Sequence, residues 1–385
     1  MQGPRASKKA EYESVLTLIN QVFRINNNLA PTMSTEYPLL LCYENMDNMR
    51  IILEDDQPVS TVSYCTTNMI IEGATLKAAS VGSVCTHPGY RGRNYATQLM
   101  DDVEARMKDN GVEVMLVSGD RDLYLRRGCV TVGGFYKAQL ESKQIGIQDY
   151  VSLVDINNTN IDQAIRIYNQ EPVRYKRTYD EFISLQQGAT THKGSLYYKS
   201  YLLTKRGEAV AYIILKIIIG ENRADIVEYA GDKSSVINGI YKLMELNELK
   251  KCSLIVQHHD SIKTLLEEAG ALLEPQEQQG TIKIMNYVSL MNSLKPYMKQ
   301  YLPSDIVEEL DFVVEDEQYI ITTKGESLCI DSKDLLGQLI FGQRGQDGIV
   351  DSLLQNELAD KPNIKSVLST VFPIPFPWTA NMNYI

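Results

Sequence analysis

Apolar and polar positions repeat along this chain in two periods, one helical and one alternating, and their order predicts an architecture. Residues 11–25 carry apolar side chains at helical spacing and predict an amphipathic helix. Short β-branched runs follow at MRIILE (49–54), VSTVSYCTT (59–67), MIIEG (69–73) and 78–86, and each predicts a strand. A second helix is predicted from about Asn94 to Met107, with Asn110-Gly111 as its stop signal, before the apolar strand VEVMLVSG (112–119).

A similar plan recurs downstream. NTNIDQAIRIYNQEP (158–172) predicts a helix, and SLYYKSYLLTK (195–205) and VAYIILKIII (210–219) predict strands. IVEYAG (226–231), DKSSVINGIYKLMELNELKK (232–251) and CSLIVQ (252–257) then give strand, turn with helix, and strand again. The longest apolar run, AVAYIILKIIIG (209–220), contains Lys216 and is rich in β-branched residues, so it predicts a buried strand. The last hundred residues change character. A helix is predicted over 297–310, strands over 312–324 and 327–331, and a helix over 331–343. The tail FPIPFPWTANMNYI (372–385), which carries the single tryptophan, Trp378, is too apolar for a floppy terminus and is expected to be buried.

Composition narrows the function classes. A length of 385 residues implies two or three domains, and 44% apolar content is enough for real cores. No uncharged apolar stretch is long enough to suggest a membrane span, and MQGPRASKKAEYESV lacks the apolar centre of a signal peptide. Six scattered cysteines without a CxxC pair imply reduced thiols and a cytoplasmic setting. The four histidines show no zinc-ligand spacing, so no metal is expected. The net charge of −11 disfavours nucleic acid as a partner and favours cationic substrates. No membrane partner is expected either.

The chemistry concentrates in AASVGSVCTHPGYRGRNYATQLM (78–100), an apolar strand running through a basic, glycine-bearing turn into a helix. A helix start preceded by such a turn offers backbone N–H groups, a favourable dipole and the charges of Arg91 and Arg93 to a phosphate. The turn is neither a Walker loop nor GxGxxG. It resembles the acyl-CoA pyrophosphate loop of the GNAT N-acetyltransferases, [QR]-x-x-G-x-[GA], with Arg91 first, Ala96 last and Asn94 where the family has glycine. Asparagine is the next most tolerant residue for that backbone. The segment LYLRRGCV (123–130) resembles the family's LYxxxGF element, a short helix before a final strand, and its tyrosine is Tyr124. The order of elements up to residue 145 is then that of one GNAT domain. The second turn, AGDKSSVIN, lacks the pattern, and Asp232 there can cap a helix but suits a diphosphate poorly.

A GNAT domain (1–145), a degenerate second GNAT-like domain (146–287) and a sterol-carrier-protein-like module (288–385) together resemble the Eis family of acetyltransferases. The fold class expected is therefore mixed α/β, or α+β, with tandem acyl-CoA acyltransferase domains. The resemblance implies acetyl-CoA as co-substrate, contacted by Val84, Cys85 and Thr86 at the strand end and by Arg91, Gly92, Arg93, Asn94, Tyr95, Ala96 and Thr97 in the turn. It also implies Tyr124 as general acid toward the CoA thiolate and the C-terminal carboxylate of Ile385 as general base. Family members acetylate amines, so a primary amine of a cationic small molecule or a lysine side chain is the acceptor expected, and the enzyme is expected to be a homo-oligomer, such as a hexamer. Direct transfer is favoured over an acyl-enzyme on Cys85, because only His87 lies near it in sequence and as a loop residue at the strand exit. Asp120 and Asp122 beside Tyr124 are candidates for holding a cation, or for simple surface solvation. Two alternatives stay open: a tandem-GNAT acyltransferase using a longer acyl-CoA, such as one like N-myristoyltransferase, and a non-catalytic CoA- or lipid-binding protein.

Overall fold

The runs 59–67 and 69–73 fuse into one continuous strand, Gln57–Ile71, in a computed structural model that describes residues 1–142, 150–190, 196–343, 349–356 and 358–384. Asn68 does not break the strand, because it is paired on both sides, with Lys77 and with Lys176. Gln57–Ile71 is the spine of a seven-stranded sheet. Gln2–Ala6 and Met49–Glu54 lie antiparallel on one side, and Ala74–Thr86 on the other. Val114–Val117 then adds in parallel to Ala78–Val81. Both faces are covered. Met49, Ile51 and Leu53 pack under helix Tyr12–Phe23, while the intervening Ile52 faces helix Tyr95–Asp109 with Leu99, Met100 and Val103. This two-sided burial is why the strands read as apolar runs rather than clean alternation.

The strand expected to close the first unit does not join this sheet. Phe135–Glu141 instead pairs antiparallel with Lys251–Gln257 and Leu272–Gln276 in a second seven-stranded sheet. The place it leaves is taken by Thr281–Ile284, which pairs with Val114–Val117 from the far end of the second unit. Each sheet thus takes in a strand from the other half of the chain, at the edge of the first sheet and in the interior of the second. Alternation along FYKAQLE fits either sheet, so the pattern alone could not choose the partner.

In the second sheet Arg223–Gly231 and Lys251–Gln257 run parallel around the crossover helix Lys233–Leu246. That helix packs so closely that a side chain at Gly239 would meet Leu203 at 2.7 Å. The buried strand expected over 209–220 is Glu208–Ile218. Helices Ile161–Tyr168 and Tyr179–Ala189 cover the opposite face. The last part of the chain is a three-stranded antiparallel meander, Asp311–Glu315, Gln318–Thr323 and Glu326–Ile330, with helices Tyr287–Ser293, Lys333–Phe341 and Pro362–Val371. The single helix expected over 297–310 is two, Lys295–Met298 and Ser304–Glu309, divided at Pro303. The tail is buried as expected: Phe372, Ile374 and Phe376 extend a core that runs continuously into Met69, Ile71 and Leu76 of the first sheet.

Candidate active site

The site begins with an irregularity in the strand Ala74–Thr86. Opposite Ser63 stands Gly82 and opposite Thr61 stands Cys85, so this strand carries one extra residue. The bulge is accommodated by Ser83 in a left-handed conformation, φ 53°. Past Val81 the strand also loses its parallel neighbour, which ends at Val117, and a wedge opens. Val84, Cys85 and Thr86 line that opening.

Beyond Thr86 the chain turns sharply. Gly89 N–H donates to the His87 ring at 3.2 Å, and Gly92 and Asn94 take left-handed angles of 80° and 63°. Asn94 therefore serves the backbone role the loop assigns to glycine. It does so without capping the helix: its side chain makes no bond to the first turn, and no acidic residue lies there. The N–H groups at the start of Tyr95–Asp109 stay available, and the helix dipole adds to the arginines. Arg93 stands over the Tyr90 ring at 4.9 Å and 3.9 Å from Glu54, which also accepts a hydrogen bond from Tyr95. Arg91 is exposed and makes no ion pair among the described residues.

All ten residues expected to contact the cofactor, together with Tyr124, line one open cavity of about 750 Å³. The structure adds Val22, Phe23 and Asn27 at the end of the first helix, and Arg121 and Leu123 beside Tyr124. Tyr90 of the turn lines it too, and the sequence signal for Arg121 is its charge three residues before the tyrosine. Asp120 and Asp122 are exposed and line neither this cavity nor the cleft described below.

Tyr124 is held by the short helix Asp122–Leu125 with only 6% of its surface exposed. Its ring lies so near the strand exit that a Cβ at Gly119 would meet it at 3.2 Å, which accounts for the glycine. Burial raises its pKa, with Arg121 pulling the other way. The phenol therefore keeps its proton at neutral pH. Cys85 is buried and its thiol is pushed up to about 12 by burial, slightly relieved by Arg91. His87 is committed to Gly89, so Cys85 has no base and little nucleophilic character.

A cleft of about 530 Å³ lies over the second sheet, lined by Tyr198, Lys216, Asp225 and Ser253 of its strands, by Glu36 and Tyr37, and by the tail. Tyr37, Tyr198, Trp378 and Tyr384 give it an aromatic wall. Its acids are already engaged: Glu36 with Arg24 at 2.5 Å, and Asp225 with Lys216 at 3.1 Å. Tyr384 accepts a hydrogen bond from Gln279 at 3.2 Å, and the two residues also line a small cavity that reaches Val117 and Ser118, the residue before Gly119. Ile385, the expected base, lies outside the described residues.

The second unit's equivalent turn is occupied by its own carboxylates. Asp232 accepts from Ser235 N–H at 2.7 Å, capping the helix, and Glu171 accepts from Gly231 N–H at 2.7 Å and from Lys233 at 2.9 Å. The groups that could meet a phosphate are filled internally.

Comparison with known proteins bears on the first unit and on the fold. Residues 4–132 match the family model described as an acetyltransferase (GNAT) domain. No curated protein is significantly similar in sequence. Among solved structures, the chain is similar in fold to a GCN5-related N-acetyltransferase from Anabaena variabilis, with a TM-score of 0.63 and 13% identity over 98% of this chain and 97% of that one. A GCN5-related N-acetyltransferase from Kribbella flavida gives 0.58 and 12%, over 97% of each chain. Eis1 from Mycobacterium abscessus gives 0.58 and 12%, over 85% of this chain and 83% of that one. Residues 4–132 are thus a GNAT acetyltransferase domain, and the protein that carries it is an acyltransferase of mixed α/β fold.

Proposed function

We propose that the protein transfers an acetyl group from acetyl-CoA directly to a primary amine of a cationic small molecule or a lysine side chain. The observation that carries this reading is the placement of a buried, protonated Tyr124 on the wall of the cavity into which an uncapped helix N-terminus opens. The diphosphate of CoA sits at that N-terminus with Arg91 and Arg93, and the thioester reaches the wedge at Val84–Thr86. The amine enters from the aromatic cleft, whose tyrosines and tryptophan suit an ammonium group. Nitrogen attacks the thioester carbon, the carbon–sulfur bond breaks, and Tyr124 protonates the departing thiolate. The α-carboxylate of Ile385 takes the proton released by the amine; the anchored tail at Tyr384 supports this role.

The Eis-like division into units at about 145 and 287, with a sterol-carrier-like last module, and a homo-oligomeric assembly belong to the same reading. So does a cytoplasmic setting, supported by six free thiols. Among the described residues no helix is long and apolar enough to cross a membrane. Release of free CoA from acetyl-CoA, measured with polyamines, aminoglycosides and lysine peptides, tests the proposal, with myristoyl-CoA as a comparison donor. Turnover with acetyl-CoA is expected. Absence of turnover together with no thermal shift by acetyl-CoA sinks it.

A further inference from the structure

A buried ion pair at the seam of the two large sheets also gives a hydrogen bond to the tail. Arg177 follows Val173–Lys176, a strand of the first sheet, and precedes helix Tyr179–Ala189. Its Nη1 and Nη2 donate to the two carboxylate oxygens of Glu228, on the second sheet, at 2.9 and 2.7 Å. The two side chains are only 1% and 6% exposed. Tyr212 donates to the same carboxylate at 2.6 Å, and the guanidinium lies 4.2 Å from the centre of the Tyr168 ring. With both Nη groups held by one carboxylate, the plane of the guanidinium cannot turn, so the direction of its Nε–H is set. Nε–H donates to Asn383 Oδ1 at 2.7 Å.

Stability alone is a weak reason to keep such a pair, since a well-packed apolar substitute often serves as well. An apolar substitute could not, however, direct a hydrogen bond at a chosen point. The point chosen is one residue before Tyr384, which bonds Gln279 where the two residues line both the cleft and a small cavity reaching Val117 and Ser118 at the strand exit. Other tail contacts hold the backbone nearby: Thr379 bonds Gln278 and Gln279, Met382 enters the apolar core, and Asn383 N–H donates to Asn381 Oδ1 at 2.7 Å. We propose that Arg177, fixed by Glu228, is a positioning residue that locks Asn383, and through it Tyr384, between the acceptor cleft and the strand exit at Val117–Ser118. The anchor stands on geometry; its effect on turnover rests on the acyl-transfer reading above.

The full chain tests this with Asn383→Leu, which removes the acceptor while leaving the buried pair intact, and Asn383→Asp, which keeps an oxygen. A second route, Arg177→Met with Glu228→Gln, removes the charges together. Hydrogen exchange should show residues 379–384 opening about tenfold faster in Asn383→Leu and in the double variant, the worth of one charged hydrogen bond. Protection of Arg223–Gly231 should be unchanged in Asn383→Leu, and Asn383→Asp should restore the tail. A tail equally protected in Asn383→Leu or in the double variant overturns the anchor. With acetyl-CoA and an accepted amine, kcat of Asn383→Leu should fall about tenfold at constant acetyl-CoA affinity and recover in Asn383→Asp. A loosened tail with unchanged kcat overturns the positioning role. A wild-type protein with neither turnover nor a thermal shift by acetyl-CoA refutes the acyl-transfer reading, while the exchange measurement still decides the anchor.

Discussion

Tyr124 can act as an acid toward a thiolate only if it holds its proton until the thiolate forms. Burial raises its pKa above the ordinary tyrosine value of about 10, so the protonated form persists through neutral and mildly alkaline pH. The sign follows directly: turnover supported by this proton is present below that raised value and is lost only as pH climbs through it. Tyr124→Phe should therefore lower kcat by about 10²-fold, remove this alkaline limb and leave acetyl-CoA affinity unchanged, as pH–rate profiles would show. Unchanged rates across pH would make Tyr124 a packing residue. Cys85 is the opposite case. A thiol pushed up to about 12 is almost wholly protonated at neutral pH, so Cys85→Ser should keep turnover within about threefold. Loss of activity, with an acyl adduct on the wild-type cysteine by mass spectrometry, would replace direct transfer by a covalent route. Both residues were legible in the sequence because each sits in a short pattern whose chemistry depends on residue type. Tyr384 was not, since its importance comes from what lies beside it, Ser118 and Gln279, from distant parts of the chain.

At the scale of elements, the two turns of the chain differ in what fills them. The first leaves the start of helix Tyr95–Asp109 without a side-chain cap; the second meets its helix with Asp232 and Glu171. Arg91→Ala should weaken acetyl-CoA binding about tenfold and flatten its salt dependence, read by calorimetry at two ionic strengths. Asn94→Gly should bind as well as the parent, because glycine accepts a φ of 63° freely, whereas Asn94→Val should lose about 1–2 kcal/mol of stability by thermal or urea unfolding. Equal stability of the valine variant would contradict the left-handed turn. Turn and helix were readable from sequence since both are local. Strand partnership was not: Phe135–Glu141 and Thr281–Ile284 have patterns that fit either sheet, and only tertiary pairing distinguishes them.

For the whole molecule, that exchange of strands joins the two halves more firmly than a surface contact would. A fragment of residues 1–145 would lack Thr281–Ile284, exposing the edge at Val114–Val117, and would carry Phe135–Glu141 with no sheet to join. Expressed alone, it should be aggregated or molten, with poor dispersion in its NMR spectrum, and a well-folded monomer would refute the interdependence. Gly280 marks the crossing point: at φ 89° its Cβ position lies 2.0 Å from the Val117 carbonyl, so no other residue fits without moving the strand. The exchange also sets a timetable for synthesis. While the polypeptide is leaving the ribosome, the first sheet cannot be completed until residue 284 has emerged, and the cleft gains its tail tyrosine only with residue 384. Chains that stop short of residue 284 are then left with an unfinished first sheet, and those that stop between 284 and 384 have the sheet but no Tyr384 in the cleft.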